Sequence, residues 1–227
     1  MISKKSKNGK ESLSDRAYRE LKSLILDNKL QVGAHFLEQE VAELLNMSRT
    51  PSREALLRLS NEGLIEIRSR HGMRVKPISI QDMKEIYEIL TSLEATAASL
   101  AAQIGLDESQ IANLRQAVDD MERSLAKDQL EAWAEADERF HRLLVEYSEN
   151  RRLIALVGNF IDQSHRVRIM TLRMRPKPVN SVADHRAVME AIIRGDAEAA
   201  WRLHQKHREG NGKMLVDILD SHSMRQL

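Results

Sequence analysis

The chain has 227 residues, 42% of them hydrophobic but only 4% aromatic, which is enough apolar material for one large or two small cores and favours helices over sheets. It has no cysteine, which excludes disulfides and thiolate metal centres, and its net charge of +1 hides a split: residues 1–77 carry 15 Lys+Arg against 10 Asp+Glu, the rest 20 against 24. There is no apolar run long enough to span a bilayer, and the start, with Lys4, Lys5, Lys7 and Lys10, lacks the apolar centre of a secretory signal. The expectation is a cytoplasmic protein without a membrane partner, whose basic front meets nucleic acid.

In chain order, residues 1–11 read as a flexible basic arm. Ser14 is placed to cap a first helix with Ala17, Leu21, Leu24 and Ile25 on one face. Gly33 breaks the chain, and a second helix over 38–45 buries Val41, Leu44 and Leu45. Asn46 tolerates a left-handed backbone and can end that helix as glycine would. Ser48 or Thr50 caps the next helix, Pro51 fits its first turn, and Ala55, Leu56 and Leu59 form its inner stripe until Glu62-Gly63. Ile65 and Ile67 make one short strand and Met73 and Val75 its partner, with Arg68, Arg70, His71 and Gly72 at or beside the hairpin tip.

Arg49, Thr50, Ser52 and Arg53 crowd the first turn of the third helix. Guanidiniums there suit guanine edges in a major groove, hydroxyls suit phosphates, and a basic hairpin tip can reach a minor groove. The bland alternative for the Arg pair is a solvated helix face, and for His71 an incidental loop histidine. Residues 38–64, from Glu38 through "VAELLNMSRTPSREALLRLSNEGL", resemble the winged helix of the GntR family of bacterial transcription regulators, and the likeness runs on to the wing glycine, Gly72. That resemblance implies DNA contacts from Arg49, Thr50 and Arg53 on the recognition helix and from His71 and Gly72 on the wing. Asn46-Met47 replaces the usual Gly-Val, and Gln39 stands where some members carry a DNA-contacting Arg.

After Pro77 the pattern is helical throughout. Ile80-Gln-Asp82 opens a helix with Met83, Ile86, Tyr87, Leu90, Leu93, Ala97 and Leu100 in period, and Asp107 opens another with Ile111, Leu114, Val118 and Met121 inward. Further stretches cover 128–148, 150–173, 179–194 and 196–220, broken at Asn150, at Pro176 with Pro178, and at Gly195-Asp196. The predicted fold is mainly α: a winged helix-turn-helix with a small β-wing over 12–77, then an all-α antiparallel bundle over 80–222.

Six of the eight histidines lie in this second half. Asp137 and His141, four apart, project from one side of a helix that Phe140, Leu143 and Leu144 make partly buried. Oxygen and imidazole at that spacing can chelate a divalent cation, although a surface hydrogen bond is the plainer account. His185 and His207 can add ligands from other helices, and spacing cannot dismiss His204.

Asp137-x-x-Phe140-His141, His185-x-x-Val188-x-x-Ala191-Ile192 before Gly195-Asp196, and His207 together resemble the FCD ligand-binding domain of the FadR branch of that family. The resemblance implies a metal site of Asp137, His141, His185 and His207, without His204, holding zinc, nickel or manganese. Arg166, Arg168 and Arg173, on the helix before His185, are candidates to grip an effector, with Arg166 and Arg168 the two named for it. Relatives with an Arg near Leu90 use it for an effector acid, so a simple sugar-acid or dicarboxylate ligand is disfavoured here. The functional expectation is a homodimeric repressor that is not an enzyme. It binds a near-palindromic operator, and a divalent metal with a small organic carboxylate controls that binding. The alternatives are a regulator with an acyl-type effector and no metal, and a metal-dependent hydrolase. The latter lacks an evident general base, a G-x-S-x-G nucleophile or a glycine-rich phosphate loop.

Overall fold

A computed structural model of the chain describes residues 11–68 and 72–222, and the chain divides into two compact units at Pro77/Ile78. The basic arm through residue 10, and Arg70 and His71 of the hairpin tip, lie outside the described residues.

The first unit holds α1 (Leu13–Leu26), β1 (His35–Phe36), α2 (Glu38–Leu44), α3 (Arg49–Asn61), β2 (Ile65–Arg68) and β3 (Gly72–Val75). The cap of α1 is Ser12 rather than Ser14: the Asp15 amide donates to Ser12 Oγ at 3.0 Å, while the Ser14 hydroxyl reaches across to Glu54 on α3. Ala17, Leu21 and Ile25 are fully buried against Leu56 and Leu59, as the helical period required.

The link from α2 to α3 carries the head's geometry. Asn46 adopts φ 51°, with its amide donating to the Glu43 carbonyl at 3.0 Å and the Met47 amide to the Ala42 carbonyl at 2.9 Å. This is the left-handed helix stop that glycine usually supplies, here made by asparagine. It lets α3 leave at a sharp angle within three residues. Leu44, expected inside, is 48% exposed; Val41 and Leu45 alone carry that face of α2.

The sheet has the order β1-β3-β2, antiparallel throughout, with Ile67 opposite Met73 and Phe36 on the other side of Met73. At two residues, β1 is too short to show an alternating pattern, which is why no strand is expected there from periodicity. Its presence explains Gly72, which sits at φ 76° where an added Cβ would lie 2.1 Å from the Phe36 carbonyl oxygen. Only glycine permits β3 to start that close to β1.

The second unit is helical: α4 (Ile80–Ile104), α5 (Glu108–Ala126), α6 (Leu130–Glu146), α7 (Arg151–Met170), α8 (Val179–Ile193) and α9 (Ala197–Ser221). Capping fixes these starts. Ser79 and Asp82 close a reciprocal box on α4, Asp107 and Gln110 another on α5, and the Asn150 and Asp196 side chains accept amide hydrogens at the heads of α7 and α9. Helix α7 stops at Met170, before the expected 173, and a 3-10 turn over Leu172–Met174 leads to Pro176. Helix α4 touches α6, α7, α8 and α9, and therefore runs through the middle of the bundle with Met83, Leu90, Ala97 and Ala101 buried along it. Among the described residues, no helix is long and apolar enough to cross a membrane.

Candidate metal centre and nucleic-acid interface

Three of the expected DNA-contacting side chains are presented outward. Arg49, Thr50 and Arg53 are all exposed on the leading turns of α3. Arg49 donates to Gln39 of α2, and Arg53 Nε lies 3.9 Å from Glu38 Oε1. Solvent-exposed pairs of this kind are weak and exchange easily for a phosphate or a base edge. Ser52 corrects the expectation. It is fully buried, and its hydroxyl donates to the Ser48 carbonyl at 3.0 Å, so it braces the turn from inside and offers nothing to a groove. Gly72 likewise has a packing role against β1.

In the bundle, Asp137 and His141 on α6, His185 on α8 and His207 on α9 are all buried, and each can offer one ligand atom within 4.8 Å of the others. His185 Nε2 stands 3.1 Å from His141 Nε2 and 3.4 Å from Asp137 Oδ1, while His141 Nε2 is 3.9 Å from the same oxygen. Ligands bonded to one tetrahedral zinc at about 2.0–2.1 Å stand roughly 3.4 Å apart, so these spacings bracket a coordination sphere.

Proton bookkeeping favours a cation there. His185 Nδ1 donates to the Ser181 carbonyl at 2.6 Å, which leaves its Nε2 as a bare lone pair. His141 Nδ1 faces Glu94 Oε2 at 2.9 Å, and a carboxylate can only accept, so the His141 Nε2 is a lone pair too. Two lone pairs therefore face each other at 3.1 Å beside Asp137 Oδ1, a buried oxygen with no hydrogen-bond partner. Burial, and after it the His207 imidazole, bring the His185 pKa down to about 4, and burial with the Arg208 charge pushes His141 well below its ordinary value. Burial alone would raise the Asp137 carboxyl, but the fixed positive charge of the Arg168 guanidinium, bonded to Oδ2 at 2.9 Å, works against this and keeps it below the usual carboxylate range. Neutral imidazoles and an ionised carboxylate are the states a divalent metal binds.

A second group, missed by sequence reasoning, backs the first. Glu94 on α4 is fully buried and receives two hydrogen bonds from Arg208, through Nε at 2.9 Å and through Nη2. His204 Nε2 lies 3.3 Å from His141 Nδ1 and 3.4 Å from Glu94 Oε2, so it stands on the far side of the His141 ring from the other ligands. Glu94, His141 and His204 also satisfy ligand spacing, but Arg208 already supplies the positive charge at Glu94. The signal for this group was a lone carboxylate between Leu93 and Ala95 in an otherwise apolar helix face.

Of the expected effector residues, Arg168 donates to Asp137 Oδ2 at 2.9 Å and so orients a candidate ligand. Arg166 is buried and lines neither of the two cavities beside this centre, which corrects its assignment as an effector contact. Arg173 is exposed and pairs with Glu131 at 2.7 Å. One cavity, of about 30 Å³, touches Asp137, Arg168, Arg208 and Asn211; the other, of about 300 Å³, opens between α6 and α7. The two share Trp133, Arg168, Leu172 and Arg175 as walls.

An outward recognition helix with a β-wing, followed by a helical bundle enclosing a polar centre, defines a DNA-binding regulator with a sensing domain. Profile matches agree: "Bacterial regulatory proteins, gntR family" over residues 13–75 and "FCD domain" over residues 85–210. The chain belongs to the GntR family of transcriptional regulators and carries an FCD domain. It is 40% identical over 131 residues (57% of this chain, 77% of the relative) to an HTH-type transcriptional regulator in the TAR-I ttuE-ttuC' intergenic region of Agrobacterium vitis. It is 28% identical to the HTH-type transcriptional repressor RspR of Escherichia coli (strain K12), over 95% of this chain and 94% of that one. E. coli McbR/YncC has the same fold, with a TM-score of 0.78 at 20% identity over 92% of this chain and 99% of that one. These relatives are regulators, and the hydrolase alternative finds no counterpart among them.

Proposed function

We propose that the chain is a homodimeric repressor whose operator affinity is set by a divalent metal and a small organic carboxylate. Arg49, Thr50 and Arg53 read the major groove, with His71 of the wing alongside. Two symmetric heads then call for a near-palindromic operator. Repression is the action of the relative RspR, a transcriptional repressor. Asp137, His141, His185 and His207 hold the ion; oxygen with three imidazole nitrogens suits zinc first, with nickel and manganese also accommodated. An ion held there would supply a positive charge and open coordination positions for an effector carboxylate. The protein's part is to keep the His141 and His185 imidazoles neutral, to hold Asp137 through Arg168, and to shut water out with Phe140, which packs edge-on against His185 at 4.7 Å between centroids.

The observation that carries this reading is the pair of Nε2 lone pairs at 3.1 Å beside the unpartnered Asp137 Oδ1. The effector acts only through different affinities for DNA-competent and incompetent states, so operator DNA weakens effector binding by the same factor. The test is elemental analysis of protein purified without a histidine tag, beside His185→Ala. Wild type carries a stoichiometric divalent metal, and the variant loses it along with acid-induced release while still binding an operator selected from random duplex DNA. Full metal occupancy in the variant removes His185 from the site.

A further inference from the structure

The wall shared by the two cavities contains two donors that, among the described residues, have no carboxylate partner within 4.0 Å. Trp133 on α6 is buried, and its indole Nε1–H has no hydrogen-bond partner. Arg175 follows the 3-10 turn in an extended conformation, φ −86° and ψ 150°, which Pro176 enforces on the residue before it. Its guanidinium donates only to neutral oxygens, Thr171 Oγ1 at 2.8 Å and the Arg168 carbonyl at 3.0 Å.

The other arginines on the 300 Å³ cavity differ. Arg139 pairs with Asp120, Arg142 with Glu138 and Asp162, and Arg168 with Asp137 and Glu138. Among the described residues, Arg175 alone of these four has no carboxylate within 4.0 Å, and the remaining acid on the wall, Glu135, is exposed. Burial lowers the Arg175 pKa in spite of the opposing influence of Tyr87 and Asp137. A guanidinium without an ion-pair partner and an orphaned N–H donor on one cavity wall select a ligand group that only accepts hydrogen bonds and carries negative charge.

The rest of the wall defines the remainder of the ligand. Trp133, Ala134, Leu143, Ile169 and Leu172 give it an apolar lining, and about 300 Å³ is the lower end of the range for small-molecule sites. Hydroxyls of a polyhydroxy acid lying against that apolar lining would lose hydrogen bonds to water without replacing them.

We propose that Trp133 and Arg175 form an oxyanion receptor for a small carboxylic acid with an apolar body, which lies in the cavity between α6 and α7. This rests on the reading that the domain senses an acid, and it adds which residues take the acid group and which class of acid fits. Closing the end of α7 through Thr171 and the Arg168 carbonyl explains the hydrogen bonds of Arg175 but not the unpaired indole on the same wall.

The test uses the full chain and calorimetric titration with phenylacetate, 3-methylbutanoate, gluconate and inorganic phosphate. Trp201→Phe leaves Trp133 as the one indole, so its fluorescence reports occupancy of this wall. Phenylacetate or 3-methylbutanoate should bind saturably and change Trp133 emission, whereas gluconate and phosphate should not. Arg175→Gln keeps hydrogen-bond donors at the end of α7 but removes the charge, and should weaken binding at least tenfold. Arg175→Lys should recover part of it, and Trp133→Phe should cost about threefold. Metal content should be unchanged in all three variants. The inference is overturned if neither apolar acid binds, if Arg175→Gln binds as tightly as wild type with its melting transition preserved, or if gluconate binds as tightly as phenylacetate. Arg175-dependent binding that survives chelator treatment upholds the receptor and takes the ion out of effector binding, so the two readings fail separately.

Discussion

Glu94 and His141 meet at 2.9 Å, Oε2 to Nδ1, with both side chains closed off from solvent. Arg208 holds Glu94 from the other side, so α4, α6 and α9 are tied by one buried chain of charge ending at the candidate metal ligand. A carboxylate behind an imidazole fixes its tautomer and raises its basicity toward the ion; losing such a partner typically costs 10–100-fold in metal affinity. Glu94→Gln should therefore weaken zinc binding by about that factor in competition with a chromophoric chelator. It should also destabilise the fold by about 3–5 kcal/mol, since Arg208 is left buried without its partner. Glu94→Gln with Arg208→Gln should restore much of the stability but not the affinity. Unchanged affinity in both proteins would reduce Glu94 to a structural ion pair.

On the recognition helix, Arg49→Ala and Arg53→Ala should each weaken specific operator binding by about 1–3 kcal/mol without shifting the melting temperature. Ser52→Ala should do the reverse: operator affinity stays, and stability falls by about 1 kcal/mol through the lost bond to the Ser48 carbonyl. A gel-shift series at fixed salt beside thermal melts separates the two kinds of residue.

The contrast between Arg53 and Ser52 shows where sequence reasoning stopped. Residue type and the helix-turn-helix pattern put both in one turn, but adjacent positions on a helix face about 100° apart, and only the packing of α3 on α2 decides which faces inward. The clustering of Asp137, His141, His185 and His207 was legible because Asp137 and His141 share a helix face and the family pattern supplied the distant pair. Glu94 and Arg208 were hidden, since they pair across 114 positions and neither carries a motif. Leu44 failed for a related reason: an apolar residue on a seven-residue helix exceeds the surface its neighbours can cover.

Gly72 offers a test of its packing role independent of DNA. Gly72→Ala forces a Cβ to within 2.1 Å of the Phe36 carbonyl at φ 76°, so β3 must shift away from β1. Holding a non-glycine residue in that backbone region costs about 1–3 kcal/mol before the clash is counted. Urea unfolding of the variant should show at least this loss. A transition unchanged from wild type would leave the glycine's place to DNA contact alone.

The histidine centre should make the metal-free protein acid-sensitive in a defined window. Above pH 6.5 the His185 ring is neutral whether the chain is folded or not, and it contributes nothing to the pH dependence. As pH falls from 6.5 to about 4, the unfolded ring takes up a proton that the buried ring refuses, so stability declines with pH, by about 3 kcal/mol in total for this group. His141 and His204 are lowered by burial as well and add loss of the same sign, whereas Asp137, held low in the folded state, contributes only below the ordinary carboxylate range. Urea midpoints measured with chelator at pH 7 and pH 4.5 should therefore fall further for wild type than for His185→Asn, which cannot titrate. Excess zinc at pH 7 should raise the wild-type midpoint and leave that of the variant nearly unmoved, because an ion bound only by the folded state stabilises it by mass action. Equal pH slopes for the two proteins would mean that the His185 ring is open to protons in the folded chain, and the lone-pair argument for the metal would go with it.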